Sequence, residues 1–220
     1  MKKTIICLTN SYKYRGRCIS GIEIDLDLEN HSYSVIRDSF GNPKWMRPIS
    51  DSENGEISTT VANGINILDI LEVDVIEHIP SKAHYENYSY RSIGKVSRIK
   101  KSSSKLDNLC DTIHDKIFYN NGKAVSVDVF EKGSYSLMFV KPSSVKLYTD
   151  YSKKERGKLR MKITYKGNTY DIPVTDPVFL YDRESRGVEE EELENCYLTL
   201  SLGEVYNDWH YKLVAGVVEL

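Results

Sequence analysis

Aromatic rings and cations alternate in one short segment near the start of the chain, Tyr12-Lys13-Tyr14-Arg15-Gly16-Arg17. Aromatic faces stack on nucleobases and cations neutralise phosphates, so this pairing of residue types is typical of proteins that bind single strands. Gly16 has no side chain and lets the backbone come close to a ligand. The first candidate contact segment therefore consists of Tyr12, Lys13, Tyr14, Arg15 and Arg17.

Two further segments combine the same residue types. In one, Lys44 and Arg47 flank Trp45, and in the other a run of tyrosines precedes a basic stretch that begins at Arg91. The candidate residues from these segments are Lys44, Trp45, Arg47, Arg91, Arg98, Lys100 and Lys101. Each candidate segment also has an interpretation without ligand binding. Tyr is an ordinary strand residue, a lone Trp often fills a core, and a basic run is often a solvated linker. The binding hypothesis requires all three segments to share one concave surface.

Catalytic patterns are weak by comparison. Glu23, Asp25, Asp27 and Glu29 would project from one face of a strand, but metal-dependent nucleases draw their ligands from several elements, so a solvated face is the simpler interpretation. The sequence contains neither the Gly-x-Ser-x-Gly nor the phosphate-loop motif, although a Cys-His pair assembled in space stays possible. We expect a protein without catalytic activity, cofactor or metal.

Composition narrows the class of protein. The 220 residues are 40% hydrophobic and 28% charged with a net charge of −2, which is typical of a globular chain and excludes a uniformly basic binder. The apolar stretch after Lys3 ends at Thr9, too early for a secretory signal, and no window is long enough to span a membrane. The four cysteines are scattered, which favours reduced thiols in the cytoplasm.

Strand patterns dominate the chain. Apolar and acidic residues alternate without a break over residues 22–29, which predicts a strand with one buried face. Less regular β-rich runs cover residues 4–8, 33–37, 67–79, 124–130, 134–140, 145–149, 158–165, 169–174, 197–202 and 211–218. Lys166-Gly167-Asn168 predicts a hairpin over residues 158–174, and Pro173 indicates that this hairpin lies at a sheet edge.

One helix is expected over residues 104–119, where Leu106, Leu109, Ile113 and Ile117 recur at spacings of three and four. The polar, basic stretch 80–105 is interpreted as a linker or long loop. We therefore expect a mainly β protein with an N-terminal barrel and basic linker over residues 1–100, and a helix and C-terminal barrel over residues 101–220. Two small Greek-key barrels fit this pattern better than one sandwich.

Short strings spread over nearly the whole chain resemble the bacterial dual OB-containing domain family. They are Cys7-Leu8-Thr9-Asn10-Ser11, Arg17-Cys18-Ile19-Ser20-Gly21, Trp45-Met46-Arg47-Pro48-Ile49-Ser50, Tyr119-Asn120-Asn121, Val174-Thr175-Asp176-Pro177, Ser201-Leu202-Gly203 and Tyr211-Lys212-Leu213-Val214-Ala215-Gly216. The resemblance implies two OB-like barrels with one helix near their junction, and a place in prokaryotic conflict or antiphage systems. The resemblance implies no catalytic residue at any position of this sequence.

Two hypotheses follow from the residues and the resemblance together. The first is a non-catalytic protein that binds single-stranded nucleic acid or its ends through stacking and phosphate contacts. The second is a module that binds a partner protein or senses a small nucleotide signal, which the near-neutral net charge favours. The oligomeric state stays open.

Overall fold

The computed structural model describes residues 1–27, 29–30, 32–130, 135–152 and 157–220. The first half of the chain contains six strands and one short helix: β1 (Lys2–Lys13), β2 (Gly16–Asp27), β3 (Ser32–Val35), β4 (Trp45–Ile49), α1 (Thr59–Ala62), β5 (Asp69–His78) and β6 (Asn87–Arg98). After α2 (Ser103–Asp107) follow β7 (Ala124–Ser126), β8 (Leu137–Val140), β9 (Ser144–Asp150), β10 (Lys158–Tyr165), β11 (Asn168–Pro173), α3 (Pro177–Ser185), β12 (Glu190–Leu193), β13 (Cys196–Tyr206) and β14 (Trp209–Glu219).

Five strands of the first half form a closed barrel. The sheet order is β1-β5-β6-β4-β2, and β1 also pairs with β2, which closes the ring, while β3 extends it beyond β2. All neighbouring pairs in the ring are antiparallel except β4 and β6, which are parallel. This order, with α1 between the third and fourth barrel strands, is that of an OB fold and confirms the predicted fold class.

Strand β2 shows how sequence patterning builds the closed barrel. Ile22 and Ile24 point into the cores, as the alternation predicts, and Asp25 and Asp27 are exposed. Glu23 was expected on the solvent-exposed face of the strand, but it is buried and accepts two hydrogen bonds of 2.7 Å from Lys3 Nζ. Buried carboxylates are retained when a cation pairs with them, so this acid belongs to the barrel wall.

The second half repeats the same strand order in a less complete form, a half-barrel. Its strands lie in two four-stranded sheets, β11-β10-β9-β12 and β7-β14-β13-β8. Strands β8 and β9 are two parts of one barrel strand, broken at Lys141-Pro142-Ser143, and a single parallel bridge between Val174 and Val214 joins the sheets on the other side. The predicted hairpin over residues 158–174 is confirmed as β10–β11, with β11 at a sheet edge.

The closed barrel and the half-barrel pack through a shared core. Ile6, Leu8 and Ile22 from the first contact a cluster that includes Phe139 and Tyr197 from the second. Hydrogen bonds to backbone carbonyls also cross the junction: the Thr199 hydroxyl donates to the Leu8 carbonyl at 2.7 Å, and the Tyr12 amide donates to the Thr175 carbonyl at 3.1 Å. The division into domains at residue 100 stays a prediction.

The helix predicted over residues 104–119 is wrong beyond its first turn, since α2 ends at Asp107. Asp111 Oδ1 accepts hydrogen bonds from the Ile113 and His114 amides, which supports a turn in place of a helix. The Ile117 amide donates to the Tyr170 hydroxyl at 3.0 Å and not to a carbonyl one turn back. Tertiary hydrogen bonds thus override the helical periodicity.

The linker predicted over residues 80–105 is also wrong in large part, because residues 87–98 form β6, the fifth strand of the closed barrel. Most side chains of β6 beyond Tyr90 are exposed, so the strand carries none of the alternation that would have identified it. Backbone pairing with β5 holds it in place along its length.

Candidate functional site

The first hairpin tip lies at the end of β1 and β2. Lys13 pairs with Gly16, so Tyr14 and Arg15 form a two-residue turn in which Tyr14 has a φ of 49°. Tyr12 is 58% and Tyr14 65% exposed, and Arg15 is also exposed. The Arg17 guanidinium lies 4.4 Å from the centre of the Tyr12 ring and holds that ring in place by a cation–π contact.

The second hairpin tip joins β13 and β14 of the half-barrel. Asn207 and Asp208 both have positive φ, which matches a type I′ turn and the residues that tolerate it. Tyr206 pairs directly with Trp209 across the turn, and both side chains are exposed. Two bulky aromatic residues therefore flank this tip on neighbouring strands.

An ion pair of 2.8 Å between Lys13 Nζ and Glu204 Oε1 joins the two tips. Between them lies a cavity of about 310 Å³, here called the rim cavity. Its lining includes Tyr12, Lys13, Tyr14, Cys18, Arg47, His84, Glu204, Tyr206 and Leu213. In an OB fold the loops after the first and fourth strands bind ligands, and the rim cavity combines both such loops of the closed barrel with the fourth-strand loop of the half-barrel.

The floor of the rim cavity contains a buried ion pair. Arg47 is only 3% exposed, and its Nη2 lies 3.0 Å from Glu86 Oε1 and donates to Ser136 Oγ at 3.0 Å. Arg47 was predicted as a nucleic-acid contact, and its burial rules out contact with a phosphate at the surface, because the carboxylate of Glu86 neutralises its charge inside the protein. Arg47 nevertheless faces the cavity from below.

His84 lies beside this pair. Its Nδ1 is 2.8 Å from Ser136 Oγ, and its Nε2 is 3.6 Å from Glu204 Oε2. Burial, followed by the neighbouring charge of Arg47, lowers the pKa of His84 below its ordinary value of 6.5. The imidazole is therefore neutral at pH 7.

A second cavity, about 720 Å³ in volume, adjoins the first, since Leu213 lines both. This basic cavity is lined by Lys123, Lys158, Arg160 and Lys212, by the carboxylates Asp150 and Asp171, and by Tyr211. Arg160 forms a 2.8 Å ion pair with Asp171, and Lys212 is fully buried, whereas Lys123 is exposed. The two cavities thus border one residue, with tyrosines lining the first and basic residues lining the second.

The other predicted residues lie elsewhere. Lys44 and Trp45 line an aromatic cleft of about 710 Å³ with Phe40, Tyr85 and Tyr135. Arg98 and Lys101 line a cleft beside α3, Arg91 forms a 3.0 Å ion pair with Asp74, and Lys100 is exposed. Residues of the three predicted segments thus line three different cavities. The requirement that all three segments share one concave surface is not met, and the binding hypothesis fails in that form. Only the first segment and Arg47 meet at the rim cavity, where the second tip adds Tyr206.

Several residues of the rim cavity, the basic cavity and the second tip were not predicted from the sequence. Tyr206, Trp209 and Tyr211 follow or flank the Asn207-Asp208 dipeptide, a turn signal that would have located the second tip. His84 and Glu204 carry no local signal, because their roles depend on partners far away in the chain.

Within the ranges that the structure covers, no helix is both long and apolar enough to cross a bilayer. In those same ranges, no group of three or more His, Cys, Asp or Glu side chains is placed to hold a metal ion. The expectations of no metal and no cofactor stay predictions. A family model described as Dual OB-containing domain matches residues 3–217, and a search of the curated proteins finds no match.

Proposed function

The chain belongs to the dual OB-containing domain family, and on that premise we propose that it binds single-stranded nucleic acid across the rim cavity without performing chemistry on it. One observation carries the proposal: three exposed tyrosines, Tyr12, Tyr14 and Tyr206, surround a single cavity at the ligand-binding end of an OB barrel. Base stacking on an exposed ring contributes about 1–3 kcal/mol per base and tolerates any sequence.

The phosphates of a bound strand would follow the cations beside these rings. Arg15 is exposed at the first tip, and the basic cavity, which shares Leu213 with the rim cavity, adds the exposed Lys123. These cations are local, which agrees with a net charge of −2 for the whole chain. A strand that enters between the tips can thus stack its bases and neutralise its backbone along one path.

The test is a fluorescence anisotropy titration of a labelled oligonucleotide at several salt concentrations. We expect affinity to fall as salt rises, and Arg15→Ala to reduce the slope of log affinity against log salt by about 0.7, the value for one single-strand phosphate contact. Lys105→Ala, an exposed cation on α2 outside the rim and basic cavities, should leave the slope unchanged. An Arg15→Ala slope equal to that of the wild type would remove the first tip from the interface.

A protein partner is the second candidate, and the aromatic cleft is the observation that favours it. Phe40 is 81% exposed at the edge of this cleft, beside Trp45 and Tyr85. Exposed aromatic residues around a concave surface are common anchors of protein interfaces. Co-purification of a partner that Phe40→Ser abolishes, with no oligonucleotide binding at low salt, would favour this function, or that of a nucleotide-signal sensor if a small nucleotide binds.

The family resemblance extends the proposal to antiphage defence in the cytoplasm, where Cys7, Cys18, Cys110 and Cys196 remain free thiols. Plaque counts on host cells with and without the protein test this role. Equal counts for a broad phage panel would contradict it.

A further inference from the structure

The floor of the rim cavity contains polar atoms that the protein leaves unsatisfied. Within the described part of the chain, Arg47 Nε and His84 Nε2 are buried and have no hydrogen-bond partner. Both residues are more than nine-tenths buried and both line the rim cavity. Buried polar atoms without partners are rare in proteins, and at a cavity they indicate a ligand or an ordered water.

The hydrogen-bond network fixes what these atoms offer. Ser136 Oγ donates its hydrogen to Glu86 Oε1, so the hydrogen shared between Ser136 and His84 must lie on His84 Nδ1. In a neutral imidazole the other nitrogen, Nε2, is then a bare acceptor. It lies 3.6 Å from Glu204 Oε2, a second acceptor. The residues that line the cavity thus carry two acceptors 3.6 Å apart, His84 Nε2 and Glu204 Oε2, and one unpartnered donor, Arg47 Nε–H.

A group with two N–H hydrogens would satisfy both acceptors at once, and an acceptor atom next to that group would take the hydrogen of Arg47. Adenine, cytosine and guanine each carry an exocyclic amino group beside a ring nitrogen that accepts hydrogen bonds. Thymine and uracil have carbonyl oxygens in place of the amino group, and such an oxygen would face the two acceptors with no hydrogen to share.

The cavity is also large enough for a base. Its volume of about 310 Å³ is roughly ten times the 30 Å³ that one water occupies in the liquid. The rings of Tyr12, Tyr14 and Tyr206 line the cavity around its polar floor. A base inserted there would have aromatic faces beside it and hydrogen-bonding groups at its edge.

We propose that the rim cavity receives a single base bearing an exocyclic amino group, unstacked from the bound strand and read by His84, Glu204 and Arg47. The inference rests on the proposed strand binding and adds a preference to it. The amino group donates to His84 Nε2 and Glu204, and its neighbouring ring nitrogen accepts from Arg47 Nε. A strand of thymines binds by stacking and phosphate contacts alone.

The test compares three oligonucleotides of about twelve nucleotides, a length within the range that OB folds cover. One is all thymine, one has a single central adenine, and one has a central N6,N6-dimethyladenine, which keeps the ring but loses both N–H groups. We expect the adenine strand to bind about tenfold more tightly than the thymine strand, and the dimethylated strand to bind like the thymine strand.

Variants locate the effect. Glu204→Leu should reduce the preference for adenine to less than about threefold, while Glu192→Leu, an exposed acid on β12, should retain it. Equal binding of all three strands would overturn this inference and leave strand binding intact, since the cavity would then hold water only. Equal binding of the adenine and dimethyladenine strands would overturn it in the same way. Absence of binding by every strand would overturn the proposed function itself.

Discussion

The closed barrel and the half-barrel have the same strand order but reach it in different ways. In the first, continuous strands of up to 12 residues pair all round the ring. In the second, the strand formed by β8 and β9 is broken at Pro142 and one bridge joins the two sheets. Proline lacks the amide that a ladder needs, so the break has a local cause.

The comparison shows that a chain can keep the strand order of a barrel without continuous hydrogen-bonded pairing around the ring. The half-barrel has less strand pairing but a longer helix: α3 has nine residues, and its Phe179 packs into the core of that half. The corresponding helix of the closed barrel, α1, has only four residues. Binding loops are positioned best by rigid elements, and in both halves a strand hairpin holds the tip that borders the rim cavity. Four sets of variants test how the two halves differ, from the largest expected effect to the smallest.

The first concerns the buried cation of the closed barrel. Arg47→Met should lower the free energy of unfolding by about 3–5 kcal/mol, because it leaves Glu86 charged, buried and without its partner. Chemical denaturation measures the loss. The double variant Arg47→Met/Glu86→Leu should recover at least about 1 kcal/mol, since no uncompensated charge remains. A double variant less stable than the single one would contradict this account.

The second compares two glycines. A Cβ at Gly21 would lie 2.2 Å from the Ile6 carbonyl oxygen inside the closed barrel, and a Cβ at Gly216 would lie 2.2 Å from the Leu8 carbonyl oxygen across the junction. We expect each alanine substitution to cost about 3 kcal/mol of stability, because backbone must move to make room. Gly94→Ala is the control: no described atom lies within 4 Å of its Cβ. Equal thermal midpoints for Gly94→Ala and Gly216→Ala would refute the close approach of the halves.

The third concerns the buried cation of the half-barrel. Lys212 Nζ donates to the Ile117 carbonyl at 2.5 Å and to the Asn120 carbonyl at 2.6 Å. Lys212→Met should therefore cost about 2 kcal/mol at pH 7, and Lys162→Met, at an exposed position of β10, should change stability by less than about 0.5 kcal/mol.

The same lysine gives a pH dependence. Burial lowers the pKa of Lys212 from 10.5 to about 7. Between these values the unfolded chain binds more protons than the folded one, so this group stabilises the fold as pH rises from 7 towards 10. Over that range the free energy of unfolding of the wild type should rise relative to that of Lys212→Met, by at most about 1.4 kcal/mol per pH unit. A difference that stays constant or shrinks with rising pH would show that the ammonium remains charged in the fold.

The fourth compares the two hairpin tips. Tyr14 occupies a positive-φ position that favours glycine, whereas Asn207 and Asp208 suit theirs. Tyr14→Gly should therefore raise stability by up to about 1 kcal/mol while weakening oligonucleotide binding by about 1 kcal/mol or more, because a stacking ring is lost. Tyr14→Ala keeps the strain and loses the ring, and separates the two effects. Unchanged affinity in both variants would exclude Tyr14 from the interface.

Much of the fold follows from local patterns. The alternation from Ile22 to Asp27 predicted β2, and Lys166-Gly167 predicted the β10–β11 turn, because strand period and turn chemistry are properties of neighbouring residues. The helix expected after Asp107 failed because its amides bond to Asp111 and Tyr170, and β6 was missed because its exposed side chains do not alternate. In both regions, contacts between residues distant in the chain determined the structure.

The candidate site was predictable only in part. The segment from Tyr12 to Arg17 lies on the surface at the end of the barrel that borders the rim cavity, as expected of a contact loop. Arg47 looked equally suitable, yet Glu86, 39 residues later, holds it inside the protein. A sequence pattern shows which side chains could bind phosphate, but the partner that removes one of them from the surface is set by the fold.

The ion pair between Lys13 and Glu204 joins residues that are 191 positions apart. The two walls of the rim cavity therefore come from different halves of the molecule, and only the packing of the closed barrel against the half-barrel brings them together. A change that loosens this junction, even far from Tyr14 and Tyr206, should move the two tips apart and alter the shape of the cavity.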